Sequence, residues 1–205
     1  MNEKEIYIKI LQWLNNKKEV AIANVIETWG SSPRPVGSIM AINSDHDIIG
    51  SVSGGCVENF VFGKALEVIK NNNVETLEFG VTNSKAWEVG LTCGGKIKVF
   101  LEKISYKDLD FIKKINEVYT KNKTIVIATR LNDGQRDIFD NSDAKESKHK
   151  LKINFNTIKS GIRLLDDQEW FFKVFQNNAK IIIVGAVHIA EPLINFANHL
   201  NYEVF

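Results

Sequence analysis

The spacing of apolar residues predicts an alternation of helices and strands along the first hundred residues. Segment 3–16 has helical periodicity, with apolar side chains at Ile6, Ile10, Trp13 and Leu14. Asn2 and Glu5 are spaced as a capping box, which would begin this helix. A second helix is predicted over 57–70, where the apolar positions are Val57, Val61, Ala65, Val68 and Ile69.

Runs rich in β-branched and aromatic residues predict strands over 20–28, 38–43, 48–52, 74–79 and 96–104. The second and third of these runs are expected to form a hairpin. Ser105 and Asp108 are spaced to begin another helix, which would extend to about residue 121. Strands over 124–131 and 135–139 are expected to pair across an Asn-Asp-Gly turn, and 169–175 is a further strand.

The last part of the chain predicts a strand, a turn and a helix. Residues 180–184 read Lys-Ile-Ile-Ile-Val, which is typical of a buried strand, and a second strand would begin at Tyr202. The predicted class is α/β, with an N-terminal α/β domain carrying glycine-rich loops, followed by a partial Rossmann-like unit. We expect three parts, over 1–105, 106–178 (helix, hairpin and polar loop) and 179–205.

Composition narrows the function classes. The formal charge of +1 and the scattered lysines do not predict a nucleic-acid-binding surface. No stretch approaches the roughly 18 apolar residues of a membrane span, and the acidic-polar start lacks the features of a signal peptide. Two cysteines without a secretion signal indicate a reducing compartment, so we expect a cytoplasmic protein.

Both cysteines lie beside glycine pairs. Cys56 is in Ser-Gly-Gly-Cys-Val-Glu (53–58), and Cys93 is in Gly-Leu-Thr-Cys-Gly-Gly (90–95). Glycine lets the backbone approach a ligand closely and adopt positive φ, so this setting predicts sulfurs presented on loops. The alternative is two tight turns that carry buried thiols as small core residues. Two such loops in one short chain favour a shared site.

A third loop, over 30–37, has two prolines and two glycines in eight residues, which gives it a defined shape. Arg34 lies between the prolines and is a candidate for binding a phosphate, or else a surface arginine in a stiff turn. Ser31 and Ser32 add hydroxyl donors. Glu58, in the first turn of the second helix, either hydrogen-bonds a ligand or favours the helix dipole.

Two cysteines do not predict a structural zinc site, which needs four ligands, and neither has a partner at C-x₂-C spacing. The presence of both cysteines and histidines allows a Cys-His hydrolase, but neither cysteine lies in a sequence signature typical of a hydrolase nucleophile. His188, which would begin the C-terminal helix, is better placed than His46 to line a site.

Residues 185–190 lie where the G-x-G-x-x-G/A turn of a dinucleotide-binding unit would lie, after a strand and before a helix. Val187 replaces the second glycine and would crowd a pyrophosphate. Glu203 is the only candidate for the acidic residue that binds the ribose. NAD(P) binding is therefore not expected, and the alternative is a βαβ fragment that packs against the rest.

Three blocks together resemble the signature of the xanthine dehydrogenase accessory proteins, the XdhC/CoxI family. They are Thr-Trp-Gly-Ser-Ser-Pro-Arg-Pro-Val-Gly (28–37), 53–58 and 90–95, in the family's order and spacing. The C-terminal strand, turn and helix resemble the start of that family's Rossmann-like domain. Val187 departs from the family pattern, and the chain ends at Phe205 where the family domain continues, so we expect a shortened member.

The resemblance implies a chaperone rather than an enzyme. Such a protein binds the molybdenum cofactor (molybdopterin) as cargo, supports its sulfuration and inserts it into a xanthine dehydrogenase-type molybdenum hydroxylase. By position in the family blocks, the cofactor-binding candidates are Ser31, Ser32, Arg34, Gly54, Gly55, Cys56, Glu58, Cys93, Gly94 and Gly95. Cys56 and Cys93 are candidate contacts to the molybdenum centre, because thiolates are soft ligands. The expected partners are the hydroxylase apoenzyme, a cysteine desulfurase and a second copy of the chain.

Two other functions compete with this one. The C-terminal turn would suggest an NAD(P)-dependent oxidoreductase, against which Val187 argues. Cys56 and Cys93 would instead form the dithiol pair of a redox protein if their Cα atoms lay within about 7 Å.

Overall fold

The computed structural model describes residues 2–80, 95–121, 123–140, 153–155, 157–176, 179–200 and 202–205. Its described helices are α1 (Glu3–Asn15), α2 (Glu58–Asn71), α3 (Leu109–Lys121) and α4 (Ala190–His199), with a short 3₁₀ helix at Tyr106–Asp108 before α3. Its described strands are β1 (Val20–Trp29), β2 (Ile39–Asn43), β3 (Ile48–Gly50), β4 (Val74–Phe79), β5 (Lys96–Ile104), β6 (Ile125–Arg130), β7 (Arg136–Asp140), β8 (Gly161–Leu165), β9 (Gln168–Phe175), β10 (Lys180–Ile181) and β11 (Glu203–Val204). The predicted α/β class is confirmed.

Strands β1 to β5 form an antiparallel sheet in the order β3-β2-β1-β5-β4. Successive residues of central strand β1 point to opposite faces. Val20 and Ile22 pack with α1 and α3, whereas Ala21, Ala23 and Val25 pack with α2. Both faces are covered, so β1 reads as an almost continuous apolar run.

The capping boxes and the hairpin that the sequence predicts are confirmed. The side chains of Asn2 and Ser105 each cap a helix, with Glu5 and Asp108 as their partners. Strands β6 and β7 pair antiparallel across residues 131–135. Local sequence is sufficient to predict these features, because capping and tight turns depend on residues only a few positions apart.

A second sheet, in the order β7-β6-β9-β8, packs beside the first. Phe100 of β5 and Phe171 of β9 meet in a buried cluster with Ile26 and Leu131. The half-buried Arg136 side chain also joins the two sheets, because it pairs with Glu102 at 2.6 Å and with Asp108 at 2.9 Å. The two sheets are therefore joined by both apolar packing and ion pairs.

The C-terminal segment differs from the prediction of a buried strand over 180–184. Lys180–Ile181 pairs with β11 in parallel, the Ile183 N–H donates to the Phe205 carbonyl oxygen at 2.8 Å, and helix α4 connects the two strands. Ile182 and Val184 are 76% and 95% exposed. Two-residue strands beside one helix cover little apolar surface, so the run is not buried. His188 is exposed in a turn, and the helix begins two residues later at Ala190.

The division of the chain into three parts and the Rossmann-like character of 179–205 stay predictions. Within the described ranges, no helix has the length and apolar character needed to cross a bilayer.

Candidate functional site

The loop that leads into α2 is organised by one carboxylate. Glu58 lies in the first turn of that helix and accepts six hydrogen bonds from residues 51–55. The donors are the hydroxyls of Ser51 and Ser53 and the backbone N–H groups of Val52, Ser53, Gly54 and Gly55. The carboxylate thus closes the loop onto the start of the helix.

This arrangement holds Glu58 in its charged form. Partial burial opposes ionisation, but the hydrogen bonds from Ser51 and Ser53 outweigh it and lower the pKa of Glu58 to about 2. Gly54 and Gly55 supply N–H donors at φ angles of +82° and +127°, which side-chain-bearing residues rarely adopt. Because these two N–H groups point at Glu58, they are engaged inside the protein. Glu58 therefore does more than favour the helix dipole.

Cys56 sits between this loop and the core beneath α2. Its side chain is half-buried and packs against the apolar cluster of β1, β5 and α2. It also lines a small pocket of about 10 Å³ together with Ser31, Ser32, Pro33, Ser53 and Gly95. A space of this size holds about one water-sized group.

The loop at 30–37 reaches the same pocket because Gly95 lets two backbones approach. A Cβ atom at Gly95 would lie 2.8 Å from the Ser31 carbonyl oxygen and 3.0 Å from that of Trp29. Pro33 likewise lies within contact distance of Gly54. The structure therefore brings Ser31, Ser32, Gly54, Cys56 and Gly95 together. Cys93 and Gly94 lie outside the described residues, so the shared site of two thiols stays a prediction.

A larger cavity, of about 230 Å³, adjoins the Cys56 pocket and shares Lys96 and Ile97 with it. It lies where β1, β4 and β5 meet, and Trp29 and Phe79 contribute aromatic walls. The ladder between β1 and β5 shifts register between Val25 and Glu27, a bulge that changes the direction of the strand end. Trp29 is 68% exposed there.

The charges around this larger cavity are partly compensated. Lys98 pairs with Glu78 at 3.2 Å, whereas Lys96 has no carboxylate partner among the described residues. Trp29 and Lys96 are not among the site residues that the sequence predicts. The signal was present in both cases, because Trp29 lies inside the first family-like block and Lys96 directly follows Gly94-Gly95.

Arg34 is not at the Cys56 pocket. It lines a separate cavity of about 260 Å³ that lies between its own loop, α1 and β9. The Ser32 hydroxyl donates a hydrogen bond to the Arg34 carbonyl oxygen at 3.0 Å, and this turn sends the two ends of the loop to different cavities. Among the described residues, no cluster of three His, Cys, Asp or Glu side chains is arranged to hold a metal ion.

Known proteins resemble this chain most clearly in the part that carries the site. Residues 13–80 match the model of the XdhC and CoxI family. The molybdenum cofactor insertion chaperone PaoD of Escherichia coli (strain K12) is 32% identical over 91 residues, which are 44% of this chain and 28% of that protein. A probable xanthine dehydrogenase subunit from Bacillus subtilis (strain 168) is 25% identical over 121 residues, 58% of this chain and 36% of that protein.

The fold also has a counterpart among solved structures. A crystal structure of a xanthine dehydrogenase from Bacillus halodurans superposes with a TM-score of 0.71 and covers 97% of this chain and 61% of that one. Its sequence identity is 21%, so the likeness concerns the fold. This chain spans roughly a third of the length of the two relatives described above.

Proposed function

Because residues 13–80 match the model of the XdhC and CoxI family, we propose that this chain binds the molybdenum cofactor and delivers it to a molybdenum hydroxylase of the xanthine dehydrogenase type. The chain acts as a carrier and does not itself turn over the hydroxylase substrate. The observation that carries the proposal is the meeting of the loops at 30–37 and 51–58 with Gly95 beside Cys56, next to a cavity with an exposed aromatic wall.

The two adjoining spaces suit different parts of the cargo. The Cys56 pocket is too small for a fused ring system, so the pterin would lie in the larger cavity, against Trp29. Its metal end would then face the Cys56 sulfur, since a thiolate is a soft ligand that suits a molybdenum centre. The N–H groups of Gly54 and Gly55 are engaged by Glu58, so binding of the cargo's phosphate falls to the cationic side chain of Lys96.

Delivery and sulfuration require other proteins. We propose that the hydroxylase apoenzyme receives the cofactor, that a cysteine desulfurase supplies the sulfur and that the chain works as a homodimer. The cytoplasm is the compartment that fits this function, because its reducing conditions keep thiols free.

Loading of the purified apoprotein with released molybdopterin cofactor tests the proposal. We expect Cys56→Ser to stay folded, since the hydroxyl nearly preserves the volume, but to retain far less cofactor because it is a poor soft ligand. Trp29→Ala should weaken cofactor retention, because it removes the aromatic wall. Lys96→Gln should weaken it by about tenfold, because it removes one charged contact. Lys107→Gln, an exposed lysine of the 3₁₀ helix, is the matched control. Normal retention by Cys56→Ser would contradict the proposed site.

A further inference from the structure

We infer that the cavity between Arg34 and β9 is a second binding site, specific for a phosphomonoester group, and that it is separate from the Cys56 pocket. It is lined by Arg34, Ser38, Ser160, Lys173 and Glu3. The inference does not depend on the proposed function, because its argument uses only the charges and hydrogen bonds of this cavity.

Arg34 is the residue that calls for a ligand. Its Nε atom is buried and has no hydrogen-bond acceptor among the residues that the structure describes, and the guanidinium forms no ion pair with them. A buried donor without a partner costs free energy, so such groups usually have an ion or water as their partner. The guanidinium has five donors in a fork that matches the oxygens of a phosphate or carboxylate.

The opposite wall provides a second cation with a donor to spare. Lys173 is 5% exposed, and its Nζ atom contacts Asn24 Oδ1 at 2.9 Å and Glu3 Oε1 at 2.8 Å. An ammonium has three donors, so these two contacts leave one N–H of Lys173 without an oxygen acceptor, although Nζ also lies 5.5 Å from the Tyr7 ring and 5.2 Å from the Phe175 ring. The other Glu3 oxygen accepts a hydrogen bond from Tyr119. The charges of Lys173 and Glu3 thus neutralise each other. The net charge of the cavity is therefore +1, and it comes from Arg34.

Hydroxyl groups complete the lining and favour phosphate over carboxylate. Ser160 accepts a hydrogen bond from the Val174 N–H, which leaves its own hydrogen free to donate. The turn at Gly37 lies next to Ser160, since a Cβ there would be 3.8 Å from the Ser160 hydroxyl. With Ser38, four donor groups face a space of about 260 Å³. A phosphomonoester has three oxygens for them, whereas a carboxylate has two.

Phosphate binding to protein made in a host that lacks molybdopterin tests this inference. Titration with inorganic phosphate, followed by ³¹P NMR, should show saturable binding that Arg34→Ala weakens about ten- to a hundredfold. Arg34→Lys should lose part of the affinity, because it keeps the charge but not the fork. Arg163→Ala removes an exposed arginine outside the cavity and should bind as the wild type does. Cys56→Ser should also bind normally, which separates this site from the proposed cofactor site.

Two further titrations identify the source and the class of the ligand. If phosphate displaces molybdopterin from the loaded wild type but not from loaded Arg34→Ala, the phosphomonoester of the cargo occupies this cavity, and its placement beside Lys96 is wrong. If phosphate binds without displacing molybdopterin, a separate phosphorylated ligand occupies the cavity. Succinate should bind at least tenfold more weakly than phosphate. The inference is overturned if the wild type shows no saturable phosphate binding, if Arg34→Ala binds equally well, or if succinate matches phosphate.

Discussion

Two helices in the described part of the chain, α2 and α4, follow a turn that contains glycine, and the two turns differ in what holds them. At residues 51–58, the first-turn carboxylate of Glu58 accepts six hydrogen bonds, and the loop rests on a sheet buried on both faces. Neither α2 nor α4 has a side-chain hydrogen bond from its N-cap residue, but at residues 185–190 no described side chain takes the place of Glu58, and Glu191 in the first turn of α4 is exposed. The first turn is fixed by its own side chains, whereas the second is an open turn on an exposed unit.

This difference shows that a glycine-rich turn before a helix is not enough to define a site. The first turn has serine hydroxyls and a carboxylate that accept hydrogen bonds from the N–H groups of residues 52–55 and of Val57, so its shape is set before any ligand arrives. The second has Val187 and exposed apolar neighbours instead. Binding energy at the first site would therefore not have to order the loop, which favours tight binding there.

The largest difference in the free energy of unfolding should come from replacing one aromatic residue in each of the two regions. Phe100 is fully buried at the junction of the sheets, whereas Phe196 of α4 is 70% exposed. We expect Phe100→Ala to lower the free energy of unfolding by about 3–5 kcal/mol, because it leaves a cavity. Phe196→Ala should change it by less than about 0.5 kcal/mol. Urea denaturation measures both, and similar losses would show that the C-terminal unit is packed.

A smaller effect is expected from the two first-turn carboxylates. Glu58→Gln removes the charged acceptor of the loop and should lower the free energy of unfolding by about 2 kcal/mol. Glu191→Gln, its counterpart in α4, should stay within about 0.5 kcal/mol of the wild type. Urea denaturation and molybdopterin retention should be measured on both variants. If Glu58→Gln is as stable as the wild type, the carboxylate does not organise the loop.

The next largest change in stability is expected at Gly95, where two backbone segments approach closely. Gly95→Ala places a Cβ against two backbone oxygens and should cost about 1–2 kcal/mol, with a local displacement of the loop at 30–37. Gly63→Ala is the matched control, because it lies in the middle of α2 with open space around it, and it should gain about 0.5–1 kcal/mol. Thermal melts compare the two variants. A stable Gly95→Ala would mean that the loops do not meet there.

The smallest expected effect is the loss of stability at low pH, when Glu58 in the first turn becomes protonated. The pKa of Glu58 is about 2 in the folded chain against an ordinary value of 4.5, so its ionised form stabilises the fold above about pH 4.5. This contribution is lost as the pH falls from 4.5 to 2, and partial exposure to solvent keeps it small. Glu58→Gln should flatten that part of the stability profile, measured by urea denaturation at each pH. An unchanged profile would contradict the assigned pKa.

Much of the fold could be predicted from the sequence because its signals are local. The strands over 74–79 and 96–104 agree with their predicted bounds, since each is an unbroken β-prone run between turn residues. The family resemblance is also confirmed, over residues 13–80. Burial of 180–184 was predicted wrongly, because an apolar run is buried only if other elements cover it.

The candidate site was less predictable, because its residues are brought together by the fold and not by their spacing in the sequence. Local spacing showed that Glu58 begins a helix, but not that six donors of the preceding loop would fold back onto it. Arg34 and Ser32 are two residues apart, yet the shape of their turn sends them to different cavities. Lys173 had a signal that was not used, a single lysine in the aromatic run of β9. Its partners, Asn24 and Glu3, are distant in sequence and could only be found in the fold.

The central claim is that this chain carries the molybdenum cofactor beside Cys56. The most direct measurement is the pterin and molybdenum content of wild type and Cys56→Ser purified side by side from a molybdenum-replete host, by mass spectrometry and elemental analysis. We predict that the wild type contains both in equal amounts and that Cys56→Ser, with an unchanged melting temperature, loses both. A folded wild type that carries neither, or a Cys56→Ser variant that carries as much as the wild type, would contradict the claim.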